Sequence, residues 1–137
     1  MENITFSDSA DSINQESLQG FFVGWDNPPT PETHLKLLKE STYRVVALDG
    51  EKVVGFITAI TDKTLAAYIP SLEVLPQYQK MGIGQELVKR MLANLDGYYM
   101  IDLLCDQELQ PFYETLGMQK AQGMRIRNYG SQNGPKS

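Results

Sequence analysis

Two glycines separated by a single residue, Gly82 and Gly84, form the part of the chain best suited to bind an anionic ligand. They lie between a predicted strand that ends near Leu75 and a predicted helix that begins near Gly84. Glycine lets the backbone approach a ligand closely, and the first amides of a helix have no helical partner. Such amides, together with the partial positive charge of a helix start, favour phosphate groups. The pattern predicts a phosphate cradle across residues 79–84.

Two other phosphate-binding motifs can be tested against this segment. A P-loop requires a lysine and then a serine or threonine after its last glycine, but Gln85 and Glu86 follow Gly84. A dinucleotide fingerprint requires glycine or alanine where Leu87 stands, and an acidic residue at the end of the next strand. Asp102 instead lies early in its predicted strand. The P-loop is therefore excluded and the dinucleotide site is a weak match, while an ordinary tight turn is the alternative without a ligand.

Thiol and imidazole groups are scarce in this sequence. Cys105 is the only cysteine and His34 the only histidine, which excludes an internal disulfide and leaves too few ligands for a structural zinc site. We therefore expect no metal. Cys105 has no basic partner that would favour its thiolate, so a small core residue is a better interpretation than a nucleophile. His34 lies beside leucines in a predicted helix, where a surface or half-buried role is commoner than a catalytic one.

The elements that position these residues follow from hydrophobic periodicity and turn signals. Strands are predicted at residues 4–6, 43–48, 52–61, 65–75 and 100–105, with one or two more between residues 118 and 127. Asp49-Gly50 predicts a hairpin, and Pro70 predicts a bulge in the fourth strand. Helices are predicted around residues 13–22, from Pro31 behind a Thr30 cap, from Gly84 to residue 95, and from Pro111 to residue 117. The late alternation of strand and helix implies an α/β fold with a mixed sheet.

The composition narrows the class of protein further. The chain has 137 residues, which suits one domain, and its tail from residue 130 to 137 has a composition typical of a flexible end. It has no run of 18 apolar residues, and its first residues are polar and acidic, so we expect a cytoplasmic protein without membrane association. The net charge of −5 disfavours nucleic acid and favours small molecules or cationic partners.

Two motifs at a suitable separation resemble the GNAT superfamily of N-acetyltransferases. Gln79-x-x-Gly82-x-Gly84 is similar to the Q/R-x-x-G-x-G/A loop of that family, and residues 72–78 (LEVLPQY) look like the strand and loop that precede it. Residues 111–118 (PFYETLGM) are similar to its F-Y-x-x-x-G-F segment. Lys80 and Met81 depart from the glycine and basic residue that many members carry there. The resemblance covers residues 1–129 as one domain.

The resemblance implies a fold and a cofactor site. It implies a mixed, mostly antiparallel sheet with two central parallel strands that splay apart, flanked by helices. Acetyl-CoA would lie between those two strands, here residues 65–75 and 100–105. Its pantetheine arm would pair with the backbone near Val74 and Leu75. Its pyrophosphate would rest on the backbone of Gln79, Lys80, Met81, Gly82, Ile83 and Gly84.

The resemblance also implies an activity, the direct transfer of an acetyl group to a primary amine in a ternary complex. It places Tyr113 beside the cofactor sulfur as the acid that protonates the leaving thiolate, although an aromatic core residue is the alternative. Glu73 is a candidate base, directly or through water, but the bulge at Pro70 leaves open which face of the strand it occupies. An acetyl-cysteine route through Cys105 is disfavoured because the family generally transfers directly.

The acceptor and the partners are less constrained. Trp25, Phe21 and Phe22 are candidates for the acceptor pocket or for the core, whereas Arg125 and Arg127 suggest a solvated strand face with no role in the site. The net charge favours a cationic small-molecule or peptide amine. Family members are often homodimers. The alternatives are an acyl-CoA-binding or sensing module without turnover, and an interaction domain without a cofactor.

Overall fold

The computed structural model describes residues 3–135 as a sheet flanked by helices. The five strands are β1 (Ile4–Ser7), β2 (Tyr43–Asp49), β3 (Lys52–Thr61), β4 (Ala66–Val74) and β5 (Met100–Asp102). The α-helices are α1 (Pro31–Glu40), α2 (Ile83–Asn94) and α3 (Gln110–Glu114). Short 3₁₀ turns occur at Gln15–Leu18, Pro76–Tyr78, Gln107–Leu109 and Tyr129–Ser131.

The sheet is mixed, as the sequence predicts. Its strands lie in the order β1-β2-β3-β4-β5, and the first three pairings are antiparallel. β4 and β5 are parallel, but they pair only from Ala66 opposite Met100 to Tyr68 opposite Asp102. Beyond Tyr68 the two strands have no pairing, so a gap opens between them toward the end of β4. The α/β fold class and the splayed parallel pair are confirmed.

The turns that set the register also follow the sequence. The hairpin after Asp49 is present, and Gly50 has the positive φ of 63° that such tight turns require. At the next turn the Asp62 carboxylate accepts backbone hydrogen bonds from residues 64, 65 and 66, which lower its pKa. In the ladder between β3 and β4 the register shifts between Thr58 and Ile60, opposite Pro70. The predicted bulge is therefore confirmed.

Helices cover both faces of the sheet. On one face, a side chain at Gly55 of β3 would come within 3.3 Å of both Leu87 and Ile83 of α2. On the other face, Phe56 meets His34 of α1 with ring centroids 4.4 Å apart. Helix α1 begins as predicted, since the Thr30 side chain accepts a hydrogen bond from the amide of residue 33 and Pro31 follows.

The helix predicted around residues 13–22 is wrong. Only a 3₁₀ turn forms there, capped by the side chain of Asn14. Gly20 and Phe22 have positive φ values of 94° and 63°, and two left-handed residues so close together cannot continue a right-handed helix. The chain instead runs as an irregular loop that presents the amides of Phe22 and Val23 to β4.

The prediction of further strands between residues 118 and 127 is also wrong. This stretch forms no ladder, and residues 119–128 are exposed. β5 is therefore an edge strand and not a central one, and it ends at Asp102 instead of Cys105. In the described part of the predicted flexible end, the side chains of Gln132 and Asn133 accept hydrogen bonds from the amides of Asn27 and Thr30, each 2.8 Å long. Residues 136–137 of this end lie outside the described residues.

Candidate active site

The loop before α2 has the backbone geometry of an anion cradle. Lys80 and Gly82 both have positive φ, 65° and 86°, which turns successive amides toward one side. Within residues 3–135, no backbone amide from Lys80 to Gln85 donates a hydrogen bond to the protein. The first amide that does so is that of Glu86, which donates to the carbonyl of Gly82 over 3.1 Å. Six consecutive N–H groups are thus available to a ligand at the positive end of a 12-residue helix.

The charges around this cradle do not oppose an anion. Glu86 lies in the first turn of α2, but its carboxylate accepts a 2.8 Å bond from Arg90 one turn later. The preceding turn is fixed by Tyr78, whose hydroxyl donates to Asp49 over 2.6 Å. This bond raises the pKa of Tyr78, so the hydroxyl remains a donor. The free amides overlap residues 79–84, where the sequence predicts a phosphate cradle, and helix α2 begins at Ile83 instead of Gly84.

The open part of β4 presents backbone groups to the gap beside β5. The amide of Leu75 donates to the carbonyl of Val54 on β3 over 2.9 Å. Because alternate residues of an antiparallel strand bond to the same neighbour, Leu72 and Val74 direct their backbone groups to the other edge, toward the gap. The Val74 carbonyl accepts a 3.0 Å bond from the side chain of Gln79. The amide of Leu75 is therefore already engaged, and Leu72 is the residue on this edge that sequence reasoning missed.

Glu73 faces the opposite side from α2, toward the loop before α1. Its carboxylate accepts hydrogen bonds from the backbone amide of Phe22, at 2.9 and 3.0 Å, and from that of Val23, at 3.3 Å. The same loop continues to Trp25, whose amide donates to the carbonyl of Phe22 over 3.2 Å. Glu73 thereby fixes the position of the loop that carries Trp25.

Tyr113 is buried where α3 approaches the end of β5. Its ring meets that of Phe112 at right angles with centroids 5.0 Å apart. Burial raises the pKa of its hydroxyl to about 12, with a further contribution from the neighbouring Cys105. Burial also raises the pKa of the Cys105 thiol, helped by the charges of Asp106 and Glu108. At neutral pH the hydroxyl is a proton donor, and the thiol is a poor nucleophile.

A cavity of about 670 Å³ brings several candidate residues together. Tyr113, Cys105 and Trp25 line it, whereas Glu73 does not. Phe21 and Phe22 belong to the core, where they pack around His34 and Phe56. Arg125 and Arg127, to which sequence reasoning gave no role, line the cavity from the stretch after α3. Their alternation was the available signal, but it is equally typical of a solvated strand.

A second cavity of about 780 Å³ lies beside the first. Tyr113 and Cys105 contribute to both, and Tyr68, Leu92 and Ile101 line only the second. Tyr113 therefore stands between two spaces, each large enough for part of a small molecule.

The comparison with known proteins decides the family. The profile of the Acetyltransferase (GNAT) family matches residues 10–118 of the chain. The chain belongs to the GNAT acetyltransferase family. This GNAT domain superposes on a structure assigned as an acetyltransferase from Deinococcus radiodurans R1 with a TM-score of 0.95 and 41% identity, covering 98% of this chain and 95% of that one. A GNAT family acetyltransferase from Streptococcus pneumoniae TIGR4 gives a TM-score of 0.74 and 30% identity, covering 91% and 98%.

A relative is also found among longer proteins. The GCN5-related N-acetyltransferase 2, chloroplastic, of Arabidopsis thaliana is 30% identical over 144 residues, which cover 87% of this chain and 55% of that protein. The GNAT chain thus spans about half the length of that curated relative.

Within residues 3–135 of this GNAT domain, no group of three or more His, Cys, Asp or Glu side chains could hold a metal ion. No helix in the same part of the chain is both long and apolar enough to cross a bilayer. The site offers backbone donors for an anion, an open strand edge, and a protonated phenol. These groups suit acyl transfer from a phosphorylated carrier.

Proposed function

We propose that this protein is an N-acetyltransferase that uses acetyl-CoA as its acyl donor. The observation that carries the proposal is the cradle of free amides from Lys80 to Gln85, which ends beside an unpaired strand edge. A pyrophosphate joined to an extended amide-containing arm has the chemistry to use both features at once. Family membership supports the same donor.

Different residues of this chain bind different parts of the acyl donor. The amides from Lys80 to Gln85 bind the pyrophosphate, and the exposed Lys80 ammonium adds a positive charge. The backbone groups of Leu72 and Val74 pair with the pantetheine arm in the gap between β4 and β5. The thioester of acetyl-CoA supplies the activated acetyl group. Tyr113 lies at the far end of this gap, between the two cavities.

The transfer forms a C–N bond to the amine and breaks the C–S bond, so the amine loses a proton and the thiolate accepts one. Tyr113 donates a hydrogen bond to the departing thiolate. The pKa of Tyr113 is about 12, whereas the pKa of a thiol is ~8.5, so the thiolate is too weak a base to keep the proton of the tyrosine. Complete transfer therefore requires another proton to replace the one that Tyr113 gives. Glu73 receives the proton of the amine through water, since its carboxylate is fixed behind the Trp25 loop and does not line the first cavity.

The acceptor is a primary amine of a small molecule or a peptide. The net charge of −5 favours a cationic acceptor at long range. Among the described residues that line the cavity, Asp106 is the only acidic one beside Arg125 and Arg127. This balance favours a competing class of acceptor that carries a carboxylate near its amine. The cytoplasmic location expected from the sequence belongs to the same proposal and is checked by cell fractionation.

Two measurements test the proposal. Calorimetry with acetyl-CoA should show binding, which an interaction domain without a cofactor would not give. Release of CoA thiol in the presence of a panel of amines should then exceed its release without amine, which a sensing module would not show. Binding without amine-dependent release of thiol would leave the cofactor site standing and overturn the enzymatic activity.

A further inference from the structure

The first cavity is bordered by large apolar side chains that remain in contact with solvent. Trp25, Leu104 and Leu109 line it, and they are 47%, 41% and 46% exposed. Single exposed apolar residues are common on protein surfaces, but a group of them around one cavity is typical of a ligand-binding site. This part of the cavity wall is therefore suited to an apolar or aromatic group of a ligand.

Trp25 belongs to a loop that is fixed on both sides of it. Before Trp25, the Glu73 carboxylate accepts hydrogen bonds from the amides of residues 22 and 23. After Trp25, the side chains of residues 132 and 133 accept bonds of 2.8 Å from the amides of residues 27 and 30. The indole itself packs against the Phe22 ring with centroids 5.0 Å apart. A ligand that stacks on Trp25 thus meets an ordered surface, which lowers the entropic cost of binding.

Another part of the same cavity wall is positively charged. Arg125 and Arg127 line the cavity, and within residues 3–135 neither guanidinium forms an ion pair. A free guanidinium favours a carboxylate, to which its planar group donates two parallel hydrogen bonds. Asp106 is the one acidic side chain among the described lining residues. Two positive charges against one negative charge suit a zwitterion, whose carboxylate meets the arginines and whose ammonium group is attracted by Asp106.

We propose that the acceptor is an α-amino acid with an aromatic or bulky apolar side chain. Its carboxylate binds Arg125 and Arg127, its side chain packs against Trp25, and its amine lies toward Tyr113, which lines the same cavity. Both walls belong to one cavity of about 670 Å³, which favours an amine and a carboxylate on one small molecule over a long peptide. This assignment of the acceptor rests on the proposed function.

The reaction that follows is N-acetylation of the amino acid. The neutral α-amine attacks the thioester carbon, so a C–N bond forms and the C–S bond breaks. The amine loses one proton and the departing thiolate gains one, which leaves an N-acetyl amino acid and CoA thiol.

Four amines separate the contributions of the two walls. L-Phenylalanine has a ring and a carboxylate, phenethylamine lacks the carboxylate, L-alanine lacks the ring, and ethylamine lacks both. Release of CoA thiol gives kcat/KM for each amine, calculated for the concentration of its neutral form. We expect kcat/KM for L-phenylalanine to exceed that for phenethylamine and that for L-alanine by about tenfold or more each.

Two variants assign these preferences to residues. Trp25→Ala should lower kcat/KM for the two aromatic amines by about tenfold and leave L-alanine unchanged. The double variant Arg125→Gln, Arg127→Gln should lower kcat/KM for L-phenylalanine and L-alanine by about tenfold or more and leave phenethylamine unchanged. Ile60→Ala is the matched control for Trp25, because Ile60 is 49% exposed and does not line the cavity.

The control for the arginines removes two positive charges from another part of the surface. Lys36 and Lys39 are exposed on α1 and do not line the cavity. The double variant Lys36→Gln, Lys39→Gln should leave the order of the four amines unchanged. Circular dichroism checks that each variant is folded.

A binding measurement tests the site without turnover. Trp25 is the only tryptophan of the chain, so its fluorescence reports directly on this cavity. With CoA present, L-phenylalanine should change the fluorescence saturably, and the double arginine variant should raise the Kd by about tenfold or more. Ethylamine should give no such change.

The outcomes distinguish this inference from the proposed function. Acetylation of ethylamine or phenethylamine as efficient as that of L-phenylalanine would overturn the inference and leave the acetyltransferase activity standing. Absence of any fluorescence change with L-phenylalanine in the folded protein would also overturn the inference. A saturable fluorescence change without acetylation of any amine would support the ligand class of the cavity and overturn the proposed function.

Discussion

At the residue scale, Tyr113 is buried and lines both cavities. Tyr113→Phe removes only this hydroxyl, so we expect kcat to fall by about tenfold or more while the Kd for acetyl-CoA changes by less than about twofold. Thiol release and calorimetry measure the two quantities. Tyr129→Phe removes an exposed hydroxyl and should leave both unchanged. Full activity of Tyr113→Phe, with chemistry limiting, would mean that the thiolate leaves without this donor.

The pKa of Tyr113 also has a consequence for the pH profile. Because burial raises the pKa to about 12, the hydroxyl remains protonated throughout the range in which the acceptor amine loses its proton. Activity should therefore rise with pH as the amine becomes neutral. Deprotonation of Tyr113 should cause no loss of activity at any pH below about 10. A descending limb near pH 9 that disappears in Tyr113→Phe would contradict this assignment.

Glu73 makes a prediction of a different kind, because it supports a loop. Glu73→Gln replaces one carboxylate oxygen with an NH₂ group, which cannot accept from the amides of Phe22 and Val23. We expect the free energy of unfolding to fall by about 1–2 kcal/mol, measured with urea. The KM for the amine should rise, since the loop also carries Trp25. Glu51→Gln, an exposed change in the β2–β3 turn, is the control, and equal stability of both variants would exclude the anchoring role.

At the scale of elements, the start of α2 depends on Gly82 more than on Gly84. Gly82 has a φ of 86°, whereas a side chain at Gly84 would only contact Val74 at 3.8 Å and Phe112 at 4.0 Å. Gly82→Val should therefore weaken acetyl-CoA binding by about tenfold or more through the cradle, and Gly84→Ala should change it little. Gly97→Val is the matched control, because Gly97 has a φ of 103° and open space around it. Equal loss of affinity in Gly82→Val and Gly97→Val would show that general backbone strain, and not disruption of the cradle, weakens acetyl-CoA binding.

The packing of α1 on the sheet contains a buried imidazole without a partner. His34 is 1% exposed, and neither of its ring nitrogens has a hydrogen-bond partner within residues 3–135. Burial lowers its pKa to about 4 from the usual 6.5, so the unfolded chain binds the proton first. Stability should therefore fall by about 3 kcal/mol as the pH drops from 6.5 to 4. His34→Leu should lack this component, and identical pH slopes of the two proteins in urea unfolding would contradict it.

Local signals in the sequence predict some elements well and others poorly. The hairpin at Asp49-Gly50 and the helix behind Thr30 follow from turn and cap chemistry, which neighbouring residues determine. The region around Phe22 has helical periodicity, but its backbone is set by a hydrogen bond to Glu73, 51 residues away. Residues 119–128 have strand-like alternation but no neighbouring strand within the described part of the chain. Contacts between residues that are far apart in sequence cannot be predicted from local hydrophobic periodicity.

The candidate site shows the same division. The loop with free amides lies where the sequence predicts it, because its glycines and the helix behind it are contiguous in sequence. The face of Glu73 was not, because the bulge at Pro70 changes the alternation of β4. The positions of Leu72, Arg125 and Arg127 beside the cavity were not predicted for a related reason, since they depend on packing between segments that are far apart in sequence.

At the scale of the whole molecule, long-range and local charge favour different acceptors. A field from the net charge of −5 should raise kcat/KM for polyamines and make it fall as salt increases. Arg125 and Arg127 should instead favour amino-acid-like acceptors. The double variant Arg125→Gln, Arg127→Gln should therefore lower kcat/KM for amino-acid-like acceptors and leave kcat/KM for polyamines unchanged. Comparing both acceptor classes at two ionic strengths decides between them. If salt leaves kcat/KM for polyamines unchanged, the long-range part of the argument is wrong.

The most direct measurement of the proposed function is a single turnover. The protein is first loaded with acetyl-CoA and then mixed with excess amine, and the acetylated amine is followed by mass spectrometry alongside free CoA thiol. The proposed function predicts that both products appear together, at a rate that rises with amine concentration and falls in Tyr113→Phe. Bound acetyl-CoA that yields no acetylated product with any amine of the panel would contradict it.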